Sequence, residues 1–311
     1  MKIFAKGWSM GKDGAGHRRI YYLKGCNLRC KWCASPESMN FEDELLFYPD
    51  RAHGEKLDHL CPYGAICQNE LDREKCRSCP DKICRKFRHK ALEWAGEDIS
   101  AEQIVQDIAS DRISWSNFSG VTFGGGEPSL QSGELCEVMN KLREQNIHTA
   151  FESNAVPDGF TSLVRCADLV ITDLKCSDKA NFRRAADGDL DKVLEHHRFA
   201  VQYANELLIR IPLIPTVNDS VEELTGMAEI LSAYNEQRIG FTGKPLGVEL
   251  LKLHHFGAAK YAALNRVYPA EGLPYVKDET VCFMENMLIK AGIYLIGNVS
   301  NLVRSAHDIV K

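Results

Sequence analysis

From about residue 97 onward, hydrophobic positions alternate between a helical period and short continuous apolar runs. Ser100 is set to cap a helix, Gln103 completes a capping box, and Ile104, Val105 and Ile108 share one helical face. A short apolar strand over 120–123 runs into the glycine-rich GGGEP, and a helix is predicted over about 133–145. Further strands are predicted over 147–151, 168–172, 207–213 and 247–253, with a helix around 189–204 and another starting at Asp219 or Ser220. With an early strand over 19–23 this makes about six strand–helix units. Near-continuous apolar strands separated by helices indicate a parallel sheet covered by helices, an α/β fold. Cys26, Glu127, Glu152, Asp173 and His254 each follow the carboxyl end of a strand, the edge where parallel α/β folds bind ligands.

Residues 47–96 break this rhythm. They carry five cysteines and several prolines with no sustained period, and are expected to form an inserted small domain held by metal rather than by a core. The remaining domain is 1–46 and 97–311. Eight of the 12 cysteines fall between Cys26 and Cys84, too clustered for chance. The chain of 311 residues has no secretory apolar run at its start and no stretch near the ~20 apolar residues of a membrane span. A reducing, cytoplasmic setting is therefore expected, where clustered thiols bind metal more often than they form disulfides. The net charge of -5 gives no reason to expect a nucleic-acid partner. Cys136, Cys166, Cys176 and Cys282 are scattered and read as small apolar residues.

Cys26, Cys30 and Cys33 stand at C-x3-C-x2-C spacing. Thiolates bind iron and sulfide, and three of them leave one iron of a four-iron cube open to a small molecule. The spacing alone also permits zinc with a distant fourth ligand. The same cysteines, followed by a strand ending in GGGEP, resemble the radical S-adenosylmethionine superfamily. There the open iron is chelated by the methionine amine and carboxylate of the cofactor, and cleavage gives a 5′-deoxyadenosyl radical. The resemblance makes Gly125, Gly126 and Glu127 the motif that binds the methionine amino group, with Glu127 pairing the ammonium. It places Trp32 beside the adenine, with a core aromatic as the plainer alternative.

A narrower resemblance is to the glycyl radical enzyme activating enzymes. KDGAGHRRIYYLKGC, CKWCASPES, VTFGGGEPSLQ, DLVITDLK, RIPLIPTVND and ELLKLHHFGAAKY follow in that family's order across the chain outside the insertion. The resemblance implies a partial parallel (β/α)6 TIM-like barrel with a small ferredoxin-like cysteine-rich insertion. It implies that Asp173 and Lys175 lie near the methionine carboxylate and a small monovalent cation. Glu152, Ser153 and Asn154 sit where the family has Asp-Thr-Asn, with Ser153 at the cofactor. Arg210 matches an arginine near the cofactor, and His254 a histidine near the ribose and methionyl end. His255 is expected at the surface or behind the site. The implied reaction is abstraction of a glycine Cα hydrogen from a partner glycyl radical enzyme, with a flavodoxin or ferredoxin as reductant.

Plainer readings stand beside these. Asp173–Lys175 as an exposed pair would be worth under ~1 kcal/mol. Arg210 alternates with Ile209 and Ile211 and faces either the barrel interior or solvent.

The insertion departs from the resembled family, whose members with an insertion here usually carry two ferredoxin motifs with eight cysteines. Here only Cys61, Cys67, Cys76, Cys79 and Cys84 are present, with Arg51, Gly54 and Leu57 near the missing positions. One auxiliary 4Fe–4S cluster on Cys61, Cys76, Cys79 and Cys84 is expected, with zinc as the rival and Cys67 as spare thiol or alternative ligand. Basic residues from Lys75 to Lys90 form either a docking face for an electron donor or acidic partner, or a solvated surface. Two other functions stay open at this point: a radical S-adenosylmethionine enzyme acting on another peptide or small molecule, and a non-catalytic iron–sulfur or zinc protein.

Overall fold

The computed structural model describes residues 1–111 and 120–297. The chain begins with an antiparallel pair, β1 (Lys2–Met10) and β2 (His17–Leu23). Next come β3 (Glu44–Phe47), β4 (Ile66–Cys67), β5 (Glu70–Leu71), α1 (Arg73–Arg77), β6 (Leu92–Ala95), β7 (Glu97–Asp98) and α2 (Ala101–Ser110). A regular alternation follows: β8 (Gly120–Gly125), α3 (Ser132–Glu144), β9 (His148–Ser153), α4 (Gly159–Cys166), β10 (Leu169–Asp173), α5 (Lys179–Ala186) and α6 (Leu190–Tyr203). It continues with β11 (Glu206–Leu213), α7 (Val221–Thr242), β12 (Gly247–Lys252), α8 (Ala258–Ala263), α9 (Asp278–Lys290) and β13 (Tyr294–Leu295).

Nine strands form one sheet in the order β13-β12-β11-β10-β9-β8-β2-β1-β7. All pairs from β2 to β13 are parallel, and β1 and β7 extend the sheet antiparallel. The six parallel strands β2 and β8–β12 match the units read from the sequence. Ser100 and Gln103 form the expected capping box on α2, and Ser220 caps α7 by accepting from the Glu223 N–H.

The strand alternation decides what the site receives. Phe123, Phe151, Val170, Ile209, Ile211 and Val248 are buried in the main core, where the helices pack. On the opposite face Ala150, Leu169, Ile171 and Leu208 form a separate small cluster. Continuing that second face by steps of two reaches Glu152, Asp173 and Arg210. Register then sets Asp173 opposite Arg210, and Arg210 opposite Glu249. Arg210 thus belongs to the inner face.

The insertion is closed by a ladder in which Glu44–Phe47 pairs antiparallel with Leu92–Ala95, so its stem starts at Glu44. It has a core of its own: Phe47, Ala52, Leu57, Leu60, Ile66 and Ala91 are buried together. The expectation of a unit held by metal rather than a core is corrected here, because these apolar residues are spaced irregularly and escape a periodicity search. Asp43 ties the unit to the sheet through Lys2 at 2.6 Å, Arg85 at 2.6 Å and Lys82 at 3.5 Å.

Candidate functional site

The loop after β2 carries the first cysteines and is held from three sides. Gly25 N–H donates to Ser38 O at 2.7 Å and Cys26 N–H to Met39 O at 3.1 Å, so the PES turn (Pro36–Ser38) backs the loop. Glu37 of that turn, itself buried, pairs with Lys260 of α8. Arg29 and Lys31 N–H groups donate to Ala186 and Ala185 at the end of α5. The third side is the glycine run. Gly126 N–H donates to Leu23 O and Glu127 N–H to Gly25 O, at 2.8 and 2.7 Å. A Cβ on Gly126 would lie 2.2 Å from Gly25 O, and Gly125 has φ +101. The glycines therefore serve first to seat β8 against the cysteine loop.

A cleft of about 550 Å³ opens at the carboxyl ends of the parallel strands. Its walls include Cys26, Cys30, Trp32, Cys33, Gly125, Gly126, Ser153, Asp173, Lys175 and His254. Lys12, Glu152, Asn154 and Glu249 line it as well. The volume suits a cofactor-sized ligand. Burial pushes the Cys26 and Cys30 thiols up to about 12 and Cys33 to about 11. Ser35 N–H donates to Cys33 Sγ at 3.4 Å, and Asn154 Nδ2 to Cys26 Sγ at 3.8 Å.

Lys175 Nζ stands 2.7 Å from Asp173, and both are largely buried. Burial pulls the lysine down, but Asp173 and the Cys30 and Cys26 sulfurs more than offset this and hold it above its ordinary value. Arg210 donates to Glu152 at 2.7 Å and to Glu249 at 2.8 Å, with Asp13 at 3.9 Å and the Lys12 carbonyl as a further acceptor. Burial, with help from Asp13 and Asp173, pushes Glu152 up to about 8 despite Arg210. Arg210 does not itself line the cleft; it gathers the carboxylates that do.

Glu127 departs from the expected carboxylate facing an ammonium. It is fully buried and outside the cleft lining. Its oxygens accept from Ser129 N–H, Ser129 Oγ, Ser153 Oγ and Asn154 N–H at 2.5–3.0 Å. Burial pushes its carboxyl up, while these donors pull the other way. A charge that cannot reach water needs such a full set of donors, and here the set ties β8 to the end of β9.

Trp32 lines the cleft and also packs on the satellite cluster of Tyr261, Tyr268 and Ala270, so the cleft-wall and core-aromatic readings both apply to it. His254 stacks on the exposed Phe256 at 4.3 Å. His255 turns away, its Nε2 3.1 Å from Leu273 O.

In the insertion, Cys61, Cys76, Cys79 and Cys84 line one small cavity with Leu45, Ala65, Ile66, Leu71, Lys82 and Trp94. Cys67 is exposed and outside it. Burial raises the Cys76 and Cys84 thiols, with the Trp94 indole N–H opposing this at Cys84. Among the described residues, no three His, Cys, Asp or Glu side chains converge closely enough to hold a single metal ion. The first set offers three thiols beside an open cleft with charged walls. That donor chemistry fits an iron–sulfur cluster with one iron left for a small molecule.

Sequence reasoning missed Lys12 and Glu249 as cleft residues, and named Asn154 only as part of the segment that sits where the family has Asp-Thr-Asn. Glu249 carries a signal in hindsight, since the two-residue step through β12 puts it on the inner face beside Arg210. Lys12 enters from the β1–β2 turn, which no period reveals. Nor does any helix among the described residues have the length and apolarity to cross a membrane.

Residues 20–228 match the model of the Radical SAM superfamily, and the chain belongs to that superfamily. The trans-4-hydroxy-L-proline dehydratase activating enzyme of Clostridioides difficile is 31% identical over 86% of this chain and 89% of that protein. The benzylsuccinate synthase activating enzyme of Thauera aromatica is 27% identical over 96% and 93%. The (2S)-3-sulfopropanediol sulfolyase activating enzyme of Bilophila wadsworthia is 29% identical over 90% and 93%. Within the superfamily the chain belongs to the glycyl radical enzyme activating enzymes, and it is a radical SAM enzyme using a 4Fe–4S cluster and S-adenosylmethionine. In fold alone it also resembles Streptococcus suis SuiB bound to precursor peptide SuiA. That match has 10% identity and TM-score 0.51, over 90% of this chain and 48% of that one.

Proposed function

We propose that this protein activates a partner glycyl radical enzyme by generating its glycyl radical. The observation that carries this is the gathering of Cys26, Cys30, Cys33, Gly125, Gly126, Ser153, Asp173, Lys175 and His254 around one cleft at the carboxyl ends of parallel strands. Cys26, Cys30 and Cys33 hold the cluster. The bound cluster would supply the electron for reductive cleavage of S-adenosylmethionine to methionine and a 5′-deoxyadenosyl radical, the chemistry that would take the Cα hydrogen of a glycine on the partner and leave 5′-deoxyadenosine.

The chain's residues bind and orient. Lys175 offers its ammonium to the methionine carboxylate. The backbone of Gly125 and Gly126, with Ser153, receives the amino end. Trp32 and His254 wall the nucleoside end. Arg210 holds Glu152 and Glu249 in place, and Glu127 fixes Ser153 and Asn154 from behind. Asp173 supplies the negative charge for a small monovalent cation. No general acid or base is required, so these groups work by position and by excluding water.

The insertion, over 47–96, holds one auxiliary 4Fe–4S cluster on Cys61, Cys76, Cys79 and Cys84, supported by their shared cavity. A flavodoxin or ferredoxin serves as reductant. Exposed Lys75, Arg77, Lys86, Arg88 and Lys90 favour an acidic donor.

Anaerobic, reduced protein is expected to convert S-adenosylmethionine to 5′-deoxyadenosine and methionine, and to give a glycyl doublet by electron paramagnetic resonance when mixed with its partner. Cleavage without a doublet on any glycyl radical enzyme encoded beside it would turn the reading toward another peptide or small molecule. Iron, sulfide and zinc analysis tests the insertion: about eight irons per chain are expected, and about four with zinc present would remove the auxiliary cluster.

A further inference from the structure

We infer that Asn154 is a positioning residue that sets the reduction potential of the first cluster through a hydrogen bond to Cys26. This rests on the reading that Cys26, Cys30 and Cys33 hold that cluster. Asn154 is 7% exposed and follows the last residue of β9. Its backbone N–H donates to the Glu127 carboxylate at 2.7 Å, which anchors it to a fully buried group. Its side-chain oxygen accepts from the Val156 N–H at 3.0 Å. That bond fixes which way the amide points, because the NH2 end cannot accept.

The two N–H donors of Nδ2 must therefore face the cysteine loop. One meets Asn27 Oδ1 at 3.0 Å. The other is left for Cys26 Sγ at 3.8 Å, a distance within reach of an N–H···S bond. Glu127, Asn154 and Cys26 form a continuous arm from the end of β8 to the thiol. The sequence motif places Glu127 at a ligand, yet the carboxylate is spent on holding Asn154 and Ser153. A donor aimed at a cluster sulfur stabilises the more negative, reduced state and raises the potential.

Asn154→Asp keeps the size and the oxygen that accepts from Val156 but replaces the donor by an anion. Asn154→Ala removes the donor without adding charge. Both are read in reconstituted full-length protein by redox titration monitored by electron paramagnetic resonance, with iron content measured in parallel. The expected result is parental iron content and a lower midpoint in both, larger for Asn154→Asp. At the parent's midpoint its reduced-to-oxidised ratio should fall about tenfold, which is 59 mV for a one-electron couple.

Midpoints at or above the parent's in both variants would overturn the inference. So would a shift in Asn154→Asp alone, which reports added charge rather than a lost donor. Failure of both variants to load iron at the first set would overturn it too, since the arm would then hold the cluster rather than tune it. If the parent itself neither holds that cluster nor cleaves S-adenosylmethionine, the functional reading fails, and this inference with it.

Discussion

The two cysteine sets differ in number, access and company. Cys26, Cys30 and Cys33 open on a cleft whose walls carry Asp173, Lys175, Glu152 and Glu249. Cys61, Cys76, Cys79 and Cys84 enclose a small cavity among Leu45, Ala65, Ile66, Leu71 and Trp94, with Lys82 beside them. Three thiols leave a coordination position for a small molecule, and four close it. Charged walls then orient a polar ligand, whereas apolar walls admit none. In the proposed function the same residue type serves an open catalytic site in one place and a closed auxiliary site in the other, and the surroundings separate the two.

The comparison breaks most sharply on ligand removal. Cys30→Ala is expected to reduce 5′-deoxyadenosine formation to background in anaerobic, dithionite-reduced protein. Cys79→Ala is expected to lose iron but keep dithionite-driven cleavage, because a small reductant reaches the first site without a relay. Product chromatography beside iron analysis separates the two. Equal losses of cleavage would mean that the insertion is part of the cleft's chemistry.

A smaller effect tests how tightly each region is built. Alanine at Gly126 would press Cβ against the Gly25 carbonyl at 2.2 Å, backbone against backbone. We expect a cost of about 3 kcal/mol, read as a lower urea midpoint. Gly64 in the insertion has φ +68 but nothing within 4 Å of its ideal Cβ. Alanine there meets only the backbone penalty, about 1 kcal/mol. Similar losses at both positions would deny that the seat of the cysteine loop is the tighter of the two.

The legible part of this molecule lies along the chain, and the illegible part lies across it. Periodicity reached the six parallel strands because their apolar runs are nearly continuous, and the strand-end residues because they interrupt those runs. The direction of the Glu127 carboxylate was not legible. Residue type says that a charge is present, but only the approach of Ser153 and Asn154 from β9 shows that it points inward. The Arg210 cluster is similar: Lys12, Glu152 and Glu249 come from three distant segments, and register brings them together. The insertion's core escaped notice because Phe47, Leu57 and Ile66 follow no period, although the ladder to Leu92–Ala95 closes around them.

The smallest effect is expected at Cys67. It ends the two-residue strand β4 and pairs with Glu70 across the turn, exposed to solvent and outside the cavity that Cys61, Cys76, Cys79 and Cys84 line. A ligand to a cluster needs its sulfur turned toward the shared space. Cys67→Ser should therefore leave iron content, sulfide content and 5′-deoxyadenosine formation unchanged. The result sharpens the contrast between the sets, since it fixes the second at four thiols. A loss of about four irons on this substitution would place Cys67 among the ligands, displace one of the other four, and make the insertion a site that rearranges around its metal.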